Sequence, residues 1–220
     1  MEKGGVLVTG GSRRIGRVIA LALADAGHCV AILTRSPSPE GAAVVAEIEA
    51  RGVKGMLIEG DLSNEDSIRG IFTRVAEFLG PMTGLVNCAS LFEWDDINSV
   101  SYKSILDHSS TNLAGPLILT SDLITYLKEN SVGNGTGCIV NVLDQKLASP
   151  NGDHLSYTVS KYALEGATRA LSRSLAPIAR INAVSPGHTL QSTEQTDRGF
   201  ALAQSQSPLG YGPTPEDIAQ

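Results

Sequence analysis

Six short apolar runs, each followed by a longer stretch with helical spacing, constrain the fold of this 220-residue chain more than any other feature. The runs fall at residues 6–8, 29–33, 56–58, 85–87, 138–142 and 181–184. They are too short for helices and too continuously apolar for half-exposed strands, so they predict buried parallel strands. Between them, residues 15–26, 40–51, 65–79, 102–128 and 157–175 carry helix formers with apolar side chains three and four apart, several ending near Gly27, Gly52 or Gly80. Strict alternation of strand and helix predicts an α/β fold with a doubly wound parallel sheet, in a single domain spanning residues 1–220. Such sheets bind ligands in the crevice beyond the carboxyl ends of their strands, so chemistry is expected in the residues that follow each run.

The balance of 17 basic and 23 acidic residues gives a net charge of −6, with the arginines scattered. That argues against a nucleic-acid partner and points to small molecules. No run approaches the roughly 18 apolar residues of a membrane span, and the N-terminus enters a strand without a signal-peptide pattern. Cys29, Cys88 and Cys138 are odd in number and widely spaced in or beside apolar runs. They read as reduced core thiols of a cytoplasmic protein rather than a disulfide or a metal site. From Gly187 the periodicity fades, and residues 188–212 are expected to form a flexible loop over the site, with a plain surface loop as the alternative. Thr214-Pro215-Glu216-Asp217 then has the form of a helix start, yet the chain stops at Gln220, which reads as a truncated sequence.

After the first strand comes Thr9-Gly10-Gly11-Ser12-Arg13-Arg14-Ile15-Gly16, a turn of small residues leading into a helix. Backbone N–H groups of such a turn, with the helix N-terminus, hold a pyrophosphate. The second strand ends in Arg35 and Ser36, a forked donor and a hydroxyl suited to a ribose 2′-phosphate where an NAD-selective site would place an acid. NADP(H) is therefore the expected cofactor, although Arg13 also fits a solvated helix start. Asp61 and Leu62 after the third strand are candidates for adenine, with a turn and helix cap as the alternative role for Asp61. Asn87, Ala89 and Ser90 after the fourth line the crevice, and Cys88 between them reads as inert.

Tyr157 and Lys161 stand four apart at the start of a helix, on one face. An ammonium beside a phenol favours phenolate and is expected to lower the tyrosine toward working pH. Together with Asp144 at a strand end, Asn112, the glycine turn and Ser185-Pro186-Gly187, this set resembles the short-chain dehydrogenase/reductase family, over about four fifths of the chain. The resemblance implies a Rossmann fold in which Asn112, Tyr157 and Lys161 form the catalytic set. It implies that Lys161 binds the nicotinamide ribose and that Pro186 and Gly187 lie beside the nicotinamide. It also implies a homo-oligomer, a tetramer or dimer, and a C-terminal helix and strand that this chain lacks.

Two positions depart from the family pattern: Arg14 replaces the third glycine, and Asp144, thirteen residues before Tyr157, replaces the catalytic serine. Both resemble the pteridine reductase and dihydromonapterin reductase branch, as do Thr34-Arg35-Ser36 and Ser90-Leu91-Phe92. That resemblance implies contacts of Arg14 and Ser90 with cofactor phosphate and pterin, and stacking of Phe92 on the pterin ring. A flat heterocycle rich in nitrogen wants an aromatic platform, and a protonatable Asp144 beside Tyr157 suits proton delivery to a ring nitrogen. The expected activity is hydride transfer from NADPH to a pterin or dihydropterin, with the proton from Tyr157 and Asp144. The alternatives are reduction of another carbonyl or cyclic imine, and a non-catalytic NADPH-binding sensor. Phe92 also fits plain core packing, and Asp144 a role in orienting Tyr157 or capping the following loop. Trp94 and His154 lie near the expected pocket mouth, and His188 faces either substrate or solvent.

Overall fold

The computed structural model describes residues 3–192 and 195–220. Six parallel strands, β1 (Gly5–Thr9), β2 (Val30–Thr34), β3 (Gly55–Glu59), β4 (Met82–Asn87), β5 (Gly137–Val142) and β6 (Ala179–Val184), form one sheet in the order β3-β2-β1-β4-β5-β6. The order reverses between β1 and β4, which opens the crevice that parallel sheets use for ligands. Period two divides the core between the sheet faces. Leu7, Ala31, Leu33, Leu85 and Ile139 enter one cluster, while Val6, Val8, Val30, Ile32 and Val86 enter the other.

Helices α1 (Arg14–Asp25) and α2 (Pro39–Glu49) cover the second cluster through Ile19, Ala20, Val44 and Ile48. Helices α3 (Glu65–Ile68), α4 (Ile71–Leu79) and α6 (Gly115–Glu129) cover the first through Ile68, Phe72, Val75, Leu119 and Leu123, with Leu171 of α7 (Leu155–Ser174) packed against it. Helix α5 (Tyr102–Ser109) lies against α7. Helices α8 (Asp197–Ser205) and α9 (Pro215–Ala219) follow β6, and α9 lies against α1.

Three expectations are corrected. The single helix read over residues 65–79 is two, because Gly70 adopts a left-handed φ of 67° and Asp122 accepts the N–H groups of both Gly70 and Phe72, at 3.0 and 3.2 Å. The helix read over 102–128 contains a π-helical turn at Ser110–Ala114, which carries Asn112. The loop read over 188–212 contains α8, started by Thr196, whose side chain accepts from Gly199 N; Thr193 and Glu194 of that span lie outside the described residues. No described helix is long and apolar enough to cross a membrane.

Candidate active site

The glycine turn sits at the switch point and fits a bound phosphate group. Gly10 has φ 67°, and a Cβ there would meet Ala89 at 3.0 Å; a Cβ on Gly16 would lie 2.3 Å from the Gly10 carbonyl oxygen. Only glycine lets backbone come this close. Thr9 Oγ1 ties the two sides of the crevice by accepting from the N–H groups of Cys88 and Ala89, both at 2.9 Å. The twelve-residue α1 begins with no side-chain cap and no acid in its first turn, so its N-terminal N–H groups and partial positive charge are left at the turn of residues 10–13 that leads into it. Arg35 and Ser36 are exposed at the end of β2, where Thr34 Oγ1 is buried without a partner among the described residues.

Other crevice residues carry structural roles as well. Asp61 accepts from Ser63 N–H and Oγ at 2.9 and 2.7 Å, the turn-capping alternative, and these bonds, with Arg35 nearby, hold its carboxyl below the ordinary range. Leu62 is buried in the core. Asn87 donates from Nδ2 to Asn141 Oδ1 at 2.8 Å, leaving its own Oδ1 buried and unpaired. Pro186 is buried, its carbonyl accepting from Gln145 N, and Gly187 lies against Pro213. Arg14, at φ 52°, donates to the carbonyls of Leu190 and Gln191 at 3.3 and 3.0 Å, so it fastens the post-β6 segment over the turn. His188 is exposed.

At the ends of β5 and α7, the Tyr157 hydroxyl donates to Asp144 Oδ2 at 2.7 Å. Tyr157 is 5% exposed. Burial and the Asp144 carboxylate both push its phenol well above the ordinary tyrosine value, the reverse of the expected lowering by Lys161. The reason is geometric. Lys161 Nζ donates to the Val142 carbonyl at 2.8 Å and stands 5.7 Å from the Tyr157 ring centroid, without bonding the hydroxyl. Burial lowers Lys161 to about 8 against the opposing charges of Cys88 and Asp144, and burial raises Cys88 to about 11, leaving that thiol inert. Asp144 also accepts from Lys146 N at 2.8 Å, starting a short 3-10 turn at Gln145–Leu147. Asp144 thus uses one oxygen on the Tyr157 hydroxyl and the other on the loop that follows it. Orienting Tyr157 and capping the loop are both realised.

Asn112 is 1% exposed and reaches neither Tyr157 nor Lys161 with its side chain. Its Oδ1 accepts from Leu91 N–H at 2.7 Å and Ser90 Oγ at 3.2 Å, and its Nδ2 donates to Leu91 O at 2.9 Å and Ser160 Oγ at 3.0 Å. It therefore anchors the loop after β4 to α7. Phe92 is 46% exposed and not core; it lies edge-on to Tyr157 with centroids 4.7 Å apart and stacks on His154 at 4.1 Å. A cavity of about 470 Å3 is lined by Trp94, Asp96, Ile97, Gly152, Asp153 and Leu155, and not by Phe92 or Tyr157.

Asp95, His108 and Ser156 carry no signal in the sequence, and Thr9 and His154 are placed by it without a role. Thr9 opens the glycine turn and was recoverable from it. The others are polar residues without a motif: Asp95 lies in the segment after β4, and only the fold brings His108, His154 and Ser156 against it. Among the described residues no cluster of His, Cys, Asp or Glu fits a metal ion, and the three cysteines are free.

Comparison with known proteins places these features in context. A family model described as short chain dehydrogenase matches residues 5–199. The uncharacterized oxidoreductase YgfF of Escherichia coli is 32% identical over 221 residues, covering 97% of this chain and 89% of that protein. The 3-oxoacyl-[acyl-carrier-protein] reductase FabG of Staphylococcus aureus is 31% identical over 182 residues, covering 82% and 72%. Among solved structures, FolM alternative dihydrofolate reductase 1 from Brucella canis, complexed with NADP, superposes with a TM-score of 0.91 at 36% identity, covering 99% of this chain and 85% of that one. A short chain dehydrogenase from Burkholderia cenocepacia in complex with NADP gives a TM-score of 0.88 at 30% identity, covering 99% and 88%.

Proposed function

This chain belongs to the short-chain dehydrogenase family, and from that membership we propose that it reduces a pterin or dihydropterin ring with NADPH as hydride donor. The observation that carries the substrate is the pairing of Asp144 with Tyr157 at 2.7 Å directly beside the half-exposed Phe92. The Brucella neighbour described as an alternative dihydrofolate reductase, solved with NADP, adds support from outside the chain.

Gly10, Ser12, Arg13, Arg14 and Ile15 hold the pyrophosphate, Arg35 and Ser36 the 2′-phosphate, and Asp61 and Leu62 border the adenine. Asn87, Ala89 and Ser90 line the crevice, Lys161 holds the ribose, and Pro186 and Gly187 flank the nicotinamide. Bound NADPH supplies the hydride to a ring carbon. Phe92 presents a ring face for the heterocycle, with Arg14 and Ser90 at its edge. Tyr157 stays protonated because Asp144 and burial disfavour its phenolate, and it is released as an acid when a ring nitrogen takes its proton. The Lys161 ammonium then offsets the phenolate, and Asp144 returns a proton taken from solvent.

The test is NADPH oxidation with dihydropterins against a panel of ketones and cyclic imines. Turnover confined to dihydropterins is expected; turnover only with ketones would favour the second reading, a carbonyl reductase, which the likeness to FabG supports.

A further inference from the structure

After β4 the chain runs through Leu91, Phe92, Glu93, Trp94 and Asp95, anchored by the main chain of Leu91 and Glu93 and by both the main chain and the side chain of Asp95. Leu91 is held at N–H and carbonyl by Asn112. Glu93 donates its N–H to Nε2 of buried His108 at 3.3 Å, and its carbonyl pairs with His154 Nδ1 at 3.0 Å. Asp95, 4% exposed, accepts from Ser156 N–H at 3.0 Å and from Ser156 Oγ, and its carbonyl accepts from Leu155 N–H at 3.2 Å. Phe92 and Trp94, between these anchored residues, are left 46% and 55% exposed.

Asp95 has a second feature. The twenty-residue α7 starts at His154, in left-handed conformation, whose side chain caps nothing. Asp95 supplies the missing cap from another part of the chain, with a charge complementary to the helix N-terminus. The residue it grips, Ser156, immediately precedes Tyr157.

We propose that Asp95 is a positioning residue: it caps the helix that carries Tyr157 from within the segment that carries Phe92, and so holds aromatic platform and proton donor as one unit. The edge-on contact of Phe92 with Tyr157 at 4.7 Å depends on this clamp. The clamp is a matter of geometry, whereas its consequence for catalysis rests on the dihydropterin reading above. Burial works against the Asp95 charge, but the bonds from Ser156 and the nearby Ser104 hydroxyl keep its carboxyl below the ordinary range, so the clamp stays ionised at neutral pH.

The chain's single tryptophan, Trp94, reports the segment independently of turnover. Asp95→Ala is expected to raise acrylamide quenching of Trp94, to raise KM for dihydropterin about tenfold and to lower kcat several-fold, because small misplacements are costly. NADPH affinity should fall less than KM rises, by no more than a few-fold, since the residues proposed to hold its phosphates, residues 10–15, Arg35 and Ser36, lie on other elements. Ser156→Ala should act in the same direction more weakly, and Asp95→Asn, which keeps one acceptor, should recover most of the loss. Wild-type KM, kcat and quenching in Asp95→Ala would overturn the proposal. So would an asparagine variant that recovers nothing, or loss of NADPH binding in step with activity in both alanine variants, which would assign the contact to folding alone. If the wild-type protein turns over no dihydropterin, the reaction assignment falls while Trp94 quenching still decides the clamp.

Discussion

Tyr157 is governed by its acceptor more than by its lysine. Asp144 accepts a 2.7 Å hydrogen bond from the phenol hydroxyl, and Lys161 is occupied by the Val142 carbonyl. Asp144→Ser removes the charge that raises the phenol, so the alkaline limb of the kcat/KM profile should move to lower pH and dihydropterin kcat/KM should fall by at least about tenfold; pH-rate profiles for the two proteins decide this. Lys161 titrates at about 8 in the folded state against an ordinary value of 10.5. Its folded value is depressed, so the penalty of burying its charge is complete below pH 8 and is relieved as pH rises toward 10.5. Lys161→Met should therefore raise Tm at pH 7 while abolishing turnover, and the gain should vanish near pH 10.5; calorimetry at the two pH values checks it. The spacing of Tyr157, Lys161 and Asp144 was readable in the chain. Which oxygen or nitrogen each one bonds was not, because those bonds depend on backbone carbonyls and burial set by other elements.

Among elements, β1, β2 and β4 were legible because residues buried on both sheet faces leave an unbroken apolar run, whereas the edge strand β6, read as buried, exposes Arg180, Asn182 and Ala183; the helices were legible because α1 and α4 keep an apolar stripe. The breaks were not legible. The division at Gly70 needs Asp122 from α6, and the π-helical turn at Asn112 makes a contact with Ser160 of α7 that lies 48 residues on. The β1–α1 turn is the element with the least tolerance. Gly16→Ala puts a methyl 2.3 Å from the Gly10 carbonyl oxygen, and overpacking of this kind costs about 1–3 kcal/mol. A lower Tm and at least tenfold weaker NADPH binding are expected, measured by calorimetry and fluorescence titration. Arg35→Ala should weaken NADPH binding by about tenfold or more and leave NADH unchanged, since Arg35 is proposed to donate to the 2′-phosphate alone.

At the scale of the whole molecule, α5 and α7 leave Tyr102, Ile105, Leu106, Val159 and Tyr162 exposed. Exposed apolar residues on neighbouring helices fit a two-fold pairing of this 23.0 kDa chain, and light scattering is expected to give a dimer or tetramer that Leu106→Glu dissociates. A monomer would remove the homo-oligomer from this account. The sequence alone determined the strand–helix alternation, the glycine turn and the Asp144, Tyr157 and Lys161 set. Each rests on local periodicity or short spacing, which a linear chain displays. Only the tertiary structure decided that Tyr157 donates to a carboxylate, that Phe92 meets its edge, and that Asp95 and Ser156 join them. Those contacts link residues 13 to 65 positions apart, and chain spacing cannot show which distant polar groups burial will force to pair.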